Sequence, residues 1–299
     1  ITRIAQDPLA NLHEIEGFDE PWCAVAACVE YHAVVIACTK QTTNLPVATD
    51  ATCSGLQHLS AMTLDGATAA LVNVLPGDQP QDAYKAVLKR TLELLEHPTG
   101  DLKDWADKRQ LTLPNKGLAD WGRDVDRKLA KRVVMTVPYA ATPHSNRGYI
   151  REAIMDYEQA REKKIQEEIG RLLAKEDKRR PSGEDLSLFT KVMLTAMEDV
   201  VPGPIKVMNW IKEQVGVFFT ENPEGKIKWV TPSGFPVTQD KRHLDMIQIK
   251  TQLLGQVIKP YVAVGEKDVN VDKHRNCSAP NFIHSMDAAL LHLSFAGFD

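Results

Sequence analysis

The sequence predicts an α+β fold that is mainly helical. Three observations carry this. Apolar residues recur at helical spacing over much of the chain, as at Tyr84, Val87, Leu88, Leu92 and Leu95. Strand-like alternation is confined to short runs, most plainly on either side of a Pro-Ser-Gly turn at 232–234. No internal repeat or low-complexity tract breaks this pattern. At 299 residues the chain is long enough for about two structural units and a sizeable core.

The elements follow in order. Residues 21–35 read as a buried helix opened by Pro21, with Cys23 and Cys28 in its core face. Thr43 to Asp50 alternates, with Leu45 and Val47 apolar, and predicts a strand delivering an acidic residue at its end. Gly55 to Leu64 predicts a helix packing on Leu56 and Leu59, with Met62 or Leu64 as a further contact. Gln81 to Glu96 is an amphipathic helix, followed by a polar stretch to about residue 120. One helical pattern spans 123–139 and runs into Pro138; another, heavily charged, spans 150–180 and breaks near Pro181-Ser-Gly. Leu186–Val200 and Pro204–Phe219 are two more helices, separated by Pro202-Gly-Pro. Lys226–Thr238 is a hairpin, and a second β pair is predicted within 245–264. Ala279–Asp287 then leads into a closing helix to about Phe295.

Composition excludes several classes. No apolar run approaches the roughly 18–20 residues of a membrane span. The five cysteines are scattered and form no CxxC, which disfavours a disulfide scaffold or a thiolate zinc site and fits a reducing, cytoplasmic compartment. Net charge is −4, but it is unevenly spread. Residues 1–50 carry two basic and seven acidic side chains, whereas 123–299 carry 27 and 24. A local basic stripe such as 123–132 can bind phosphates inside an acidic protein, because screening confines each field to about 10 Å. The run 161–180, with eight basic and five acidic residues, reads as a solvated face. The chain begins at Ile1 rather than Met, and its ends read as cut.

Three constellations could carry chemistry. In Asp50-Ala-Thr-Cys-Ser-Gly-Leu-Gln-His58, a strand-end carboxylate beside small residues suits a hard divalent ion, with a backbone carbonyl as second ligand; the competing reading is a turn Asp capping the next helix. Arg127, Lys131, Met135 and Tyr139 are four residues apart and so form one slowly drifting stripe on a helix. Its two cations can hold a triphosphate, and its Tyr can meet a base and sugar. The competing reading is an exposed basic helix, set against Met135, whose apolar neighbours predict that the stripe runs onto a partly buried face. His284-Ser-Met-Asp287 reads either as a site or as a capping arrangement at a helix start. His58 and His292 read as packed residues rather than metal ligands.

Taken in order, these motifs resemble the single-subunit DNA-dependent RNA polymerases of bacteriophages and mitochondria, more phage-like than mitochondrial. Asp50–Met62 resembles that family's first metal motif, Arg127–Tyr139 its nucleotide-binding fingers helix, Trp229–Val237 a fingers hairpin, and Ala279–Asp287 its return to the palm. The resemblance implies a right-hand architecture: residues 1–64 a partial palm, 65–283 fingers, and 284–299 a truncated return to the palm. It implies that Asp50, helped by the carbonyl of Ala51, holds one of two catalytic magnesium ions. Arg127 and Lys131 are implied to grip the triphosphate, with Lys131 protonating the departing pyrophosphate. Tyr139 is implied to help select ribose, and His284 to touch the sugar or the growing end. DNA template, RNA product and ribonucleoside triphosphates are the implied partners, and a monomer without membrane association the implied state.

Residue-level departures refine this. Related DNA polymerases place Glu where this chain has Gly55 and an aromatic where it has Met135, and both differences favour ribonucleotides. Ala140 stands where the family usually has Gly. No His-Asp pair, the family's second metal motif, occurs in the sequence. The expectation is therefore a palm–fingers fragment that is inactive alone. Its rivals are a family A-like DNA polymerase and a non-catalytic nucleic-acid-binding remnant.

Overall fold

A computed structural model describes residues 1–46, 52–169, 180–253 and 255–297. The chain divides into two units, Ile1–Ala51 and Thr52–Asp299.

The smaller unit comprises α1 (Thr2–Gln6), α2 (Leu12–Ile15) and α3 (Pro21–Tyr31), which continues into a π-helical turn at His32–Ile36. Pro21 occupies the first turn of α3, where a missing N–H costs nothing. Ile4 and Ile15 are buried, and α1 and α2 pack on α3. The predicted helix forms, but it is not buried: Trp22 is 71% exposed and Tyr31 and Val35 face solvent. Cys23 is exposed and Cys28 only half-buried, so they are not core residues. Two helices of five and four residues are too small to cover α3. Glu30 holds the return of the chain by accepting from Lys40 Nζ at 2.9 Å and the Asn44 N–H at 3.3 Å. Residues 43–46 form no strand, and residues 47–50 of the expected strand lie outside the described residues.

The larger unit opens with α4 (Ser54–Thr63) and α5 (Gly66–Leu71). Leu56 and Leu59 are buried as expected, whereas Met62 and Leu64 face solvent. Asp65 caps α5 by accepting from the Thr68 N–H, and also accepts from the Gly203 N–H at 3.1 Å. A Cβ at Gly203 would lie 2.5 Å from the Asp65 carboxylate, so glycine is what lets the two segments meet.

Next come α6 (Ala83–Glu96), α7 (Gly100–Asp107), α8 (Lys116–Val125) and α9 (Arg127–Thr136), ending in a 3₁₀ turn at Val137–Tyr139. The polar stretch after α6 therefore contains α7 and the first half of α8. Of its sparse apolar residues in these helices, Leu102, Ala106, Leu118 and Ala119 are buried and Trp105 is half-buried. The single helix expected over 123–139 is two, broken at Asp126, where φ is 53°. The apolar spacing Leu118, Gly122, Val125, Leu129 runs straight through the break, which hides it from periodicity.

Three long helices follow: α10 (Pro143–Ile169), α11 (Gly183–Val200) and α12 (Pro202–Glu221). Helix α10 begins seven residues before the predicted start at 150, and residues 170–179 lie outside the described residues. Helix α11 starts with a reciprocal capping box between Ser182 and Asp185. Helices α6, α8, α9, α10 and α11 share one core, in which Leu94, Leu129, Val133, Ile150, Ile154 and Phe189 are fully or almost fully buried. Burying large aliphatic and aromatic side chains contributes about 1.5–3 kcal/mol each, so this core dominates the unit's stability.

Strands β1 (Ile227–Val230) and β2 (Pro236–Gln239) form the predicted hairpin, with Trp229 opposite Val237 and Gly234 at φ +83° in the turn. A longer antiparallel pair joins β3 (Arg242–Gln248) to β6 (Tyr261–Val269), and between them in sequence β4 (Thr251–Leu253) and β5 (Gln256–Ile258) form a separate two-stranded sheet. Helix α13 (Val271–Ala296) ends the described chain. Ala279–Asp287 does not lead into a helix but lies inside this one, with Pro280 in its interior. His292 is exposed rather than packed, 3.4 Å from Ser233 Oγ. Among the described residues no helix is long and apolar enough to cross a membrane. The described part of the 161–180 run, on α10, is mostly solvent-facing.

Candidate functional site

Three elements of the larger unit converge: the start of α4, the 3₁₀ turn after α9, and the middle of α13. Glycine permits the first contact. A Cβ at Gly55 would lie 2.9 Å from Pro138 Cβ and 3.6 Å from Ile283 Cγ2, inside a normal contact for the former. Gly55 thus has a packing role that the sequence reading missed: the space beside its Cα is filled by Pro138.

The turn then presents Tyr139. Its ring stacks on His284 with centroids 4.6 Å apart and planes 4° from parallel, and its Oη lies 3.3 Å from Ser54 Oγ. Residue 140 closes the turn in the left-handed region, at φ 58° and ψ 36°, and its N–H donates to the Val137 carbonyl. That geometry is a physical reason for glycine at this place, and alanine here carries a Cβ penalty. Tyr139 and His284, 145 positions apart in sequence, are thereby brought into contact.

Helix α9 carries the cations. Leu129, Ala130, Val133 and Val134 form its buried face, and the stripe lies opposite. Lys131 and Met135 are exposed, while Arg127 and Tyr139 at the two ends of the stripe are half-buried, so the partly buried face lies at the ends and not at Met135 as expected. Lys131 makes no hydrogen bond or ion pair among the described residues. Arg127, half-buried, is held from two sides. Its Nε donates to Asp82 Oδ2 at 2.7 Å, and its guanidinium sits 4.5 Å from the centroid of the Tyr84 ring. The other oxygen, Asp82 Oδ1, accepts from the N–H groups of Tyr84 and Lys85 and caps α6. Burial raises the Asp82 carboxyl pKa, but the Arg127 bond and the helix-end N–H groups outweigh it and hold the group below the usual carboxylate range. Burial pushes the Cys53 thiol pKa up. Asp82 and Tyr84 were not among the predicted site residues. The cap was legible as Asp before an apolar helix; its second bond, to a residue 45 positions away, was not.

Helix α13 is fixed from several sides. His58 Nε2 on α4 lies 2.9 Å from Asp287 Oδ1. Trp229 Nε1 donates to Ser285 Oγ at 2.9 Å, and its ring lies against Phe282. Deeper down, the Gln239 amide lies 3.0 Å from His274 Nδ1 and bonds Ser278 and Asn281, while the Lys241 N–H donates to His274 Nε2 at 2.8 Å. His58 is therefore a half-buried partner of a carboxylate, and His284 sits in mid-helix rather than at a cap.

Asp50 and Ala51 lie outside the described residues. Among the described residues no group of three His, Cys, Asp or Glu side chains gathers to hold a metal. The two carboxylates near the convergence are already engaged, Asp82 with Arg127 and Asp287 with His58. The described side chains therefore do not complete a magnesium site.

Parallel aromatic rings beside a solvent-facing cationic helix suit a ligand with a planar base and a polyphosphate. The chain belongs to the DNA-dependent RNA polymerase family, whose model matches residues 1–298. It is 32% identical to a DNA-directed RNA polymerase of Enterobacteria phage K11, over 97% of this chain and 33% of that protein. Its identity to T7 RNA polymerase of Escherichia phage T7 is 30%, over 97% of this chain and 34% of the relative. Its identity to DNA-directed RNA polymerase 2B, chloroplastic/mitochondrial, of Nicotiana tabacum is 28%, over 95% of this chain and 25% of that protein. The chain thus spans about a quarter to a third of the length of these relatives.

Proposed function

We propose that this chain is the palm–fingers portion of a template-directed RNA polymerase. Residues 1–64 contribute to the palm, 65–283 form the fingers, and 284–299 begin the return to the palm. The observation that carries the reading is the Tyr139–His284 stack at the end of α9, the helix that bears half-buried Arg127 and exposed Lys131, in a chain of this family.

Arg127 and Lys131, one turn apart on α9, grip the triphosphate; Arg127 does so through a fixed fork and Lys131 as a mobile point charge able to donate a proton to the departing pyrophosphate. Tyr139 and His284 meet the base and sugar, and exposed Met135 borders them. Asp50 and the Ala51 carbonyl form one arm of the magnesium site, and residues outside this chain complete it. When bound, the ions supply charge neutralisation during in-line transfer. DNA template, RNA product and ribonucleoside triphosphates are the partners, with the protein acting as a monomer in the cytoplasm of an infected bacterial cell. The names of the relatives favour RNA over DNA synthesis.

Calorimetric titration of the 299-residue chain with ATP tests this. Measurable binding that weakens about tenfold in both Arg127→Ala and Lys131→Ala is expected, roughly one lost charge-assisted contact in each. Binding that neither substitution changes would refute the assignment of α9.

A further inference from the structure

We propose that Asp82 is a positioning residue for Arg127, and that Asp82 and Tyr84 together hold the guanidinium with its outer edge turned toward the triphosphate. The proposal rests on the triphosphate reading of Arg127 given above.

Three observations carry it. First, the carboxylate engages Nε alone, at 2.7 Å, and leaves Nη1 and Nη2 without a hydrogen-bond partner among the described residues. Those two groups are the parallel donors that match a phosphate's oxygens. Second, the Tyr84 ring at 4.5 Å fixes the plane of the guanidinium, so both its tilt and its rotation are restrained. Third, Asp82 is itself immobile. Its other oxygen caps α6 through two backbone N–H groups, at 3.0 and 3.2 Å, and α6 packs into the main core through Val87, Leu94 and Leu95. A cavity of about 250 Å³ opens here, lined in part by Thr52, Cys53, Asp82, Tyr84 and Arg127.

The physical consequence is preorganisation. A free Arg loses much rotamer freedom on gripping a ligand, whereas a clamped one has already lost it on folding. Charge alone argues the opposite, because removing a carboxylate near an anion site tightens anion binding. Asp82, however, lies on the Nε side, away from the free edge, and Arg127 is exposed enough for water to screen it. The sign of the change therefore separates positioning from simple charge.

The first test uses the unmodified chain. Hydrogen exchange of arginine Nε–H groups, read by NMR, should be about tenfold slower at Arg127 than at exposed Arg151. Equal exchange would overturn the clamp without any substitution. The second uses Asp82→Asn and Asp82→Ser, both good N-caps, so α6 stays capped while the arm to Arg127 is lost. Calorimetric titration with sodium tripolyphosphate should show about tenfold weaker binding in both variants, with unchanged thermal midpoints. Unchanged or tighter binding in the variants overturns the positioning role and leaves the triphosphate site standing. If the unmodified chain and Arg127→Ala bind tripolyphosphate equally, the triphosphate reading itself fails, and this proposal fails with it.

Discussion

His58 Nε2 on α4 lies 2.9 Å from Asp287 Oδ1 on α13, three residues beyond the point where His284 stacks on Tyr139. The bond ties together the two helices between which Tyr139 is held. Asp287→Ala should cost about 1–2 kcal/mol, since it leaves a half-buried imidazole without its acceptor. Urea unfolding at neutral pH measures this. A change under about 0.3 kcal/mol would mean the pair is ornamental, as many exposed ion pairs are.

Ala140 gives a prediction of the opposite sign. A left-handed residue with a Cβ is strained by about 1 kcal/mol, and glycine relieves that strain at some cost in unfolded-state entropy. Ala140→Gly should therefore stabilise the chain by about 0.5–1 kcal/mol. A lower urea midpoint in the variant would show that the turn is not under this strain.

Gly55→Ala should do the reverse. The added methyl meets Pro138 Cβ at 2.9 Å in a buried contact, where overpacking costs about 1–3 kcal/mol. The 3₁₀ turn must shift to admit it, and Tyr139 shifts with the turn. Urea unfolding together with the Tyr139 ring resonances by NMR would show both effects. A silent substitution would mean the turn moves freely.

His274 makes stability pH-dependent. Burial depresses its pKa below the ordinary value, against the pull of Asp240 and with the repulsion of Lys241 and Arg242. The Lys241 N–H donates to Nε2, so a protonated ring would set N–H against N–H. With the folded value below the unfolded one, the contribution is complete above about pH 6.5 and is lost as pH falls from there toward the folded value. Urea midpoints at pH 7.5 and 5.5 should fall in that order, and His274→Gln should flatten the difference. An equal slope in the variant would assign the effect to other groups.

Much of this was legible in the sequence where the cue was local. Apolar periodicity marked α4, α6, α11 and α12, and the Pro-Ser-Gly turn marked β1 and β2. Lys131 and Met135 are both exposed on α9, and Tyr139 follows half-buried in the 3₁₀ turn. What stayed hidden depends on partners distant in sequence. The burial of residues 21–35 failed because apolar content says nothing of what is available to cover it. The break at Asp126 is invisible because the apolar spacing crosses it in phase. Pro280 suggested a helix start, yet α13 accommodates it in its interior. Tyr84 and His58 drew notice only as an apolar position and a packed ring, and Asp82 drew none. The roles of Asp82 and His58 come from bonds to Arg127 and Asp287 across 45 and 229 positions, and that of Tyr84 from its ring against the Arg127 guanidinium.

The parallel contact between Tyr139 and His284 also sets a cost on any ring that would enter between them. Rings 4.6 Å apart at their centroids leave no room for a third ring between them. A base seeking either inner face must part them, forfeiting an aromatic contact worth about 0.5–1.5 kcal/mol before it gains its own. That threshold weakens every visitor by a common factor of about 2–10. Because the factor is common to all, it lowers affinity without ranking one ligand above another, and any preference among bases must come from contacts outside the stack.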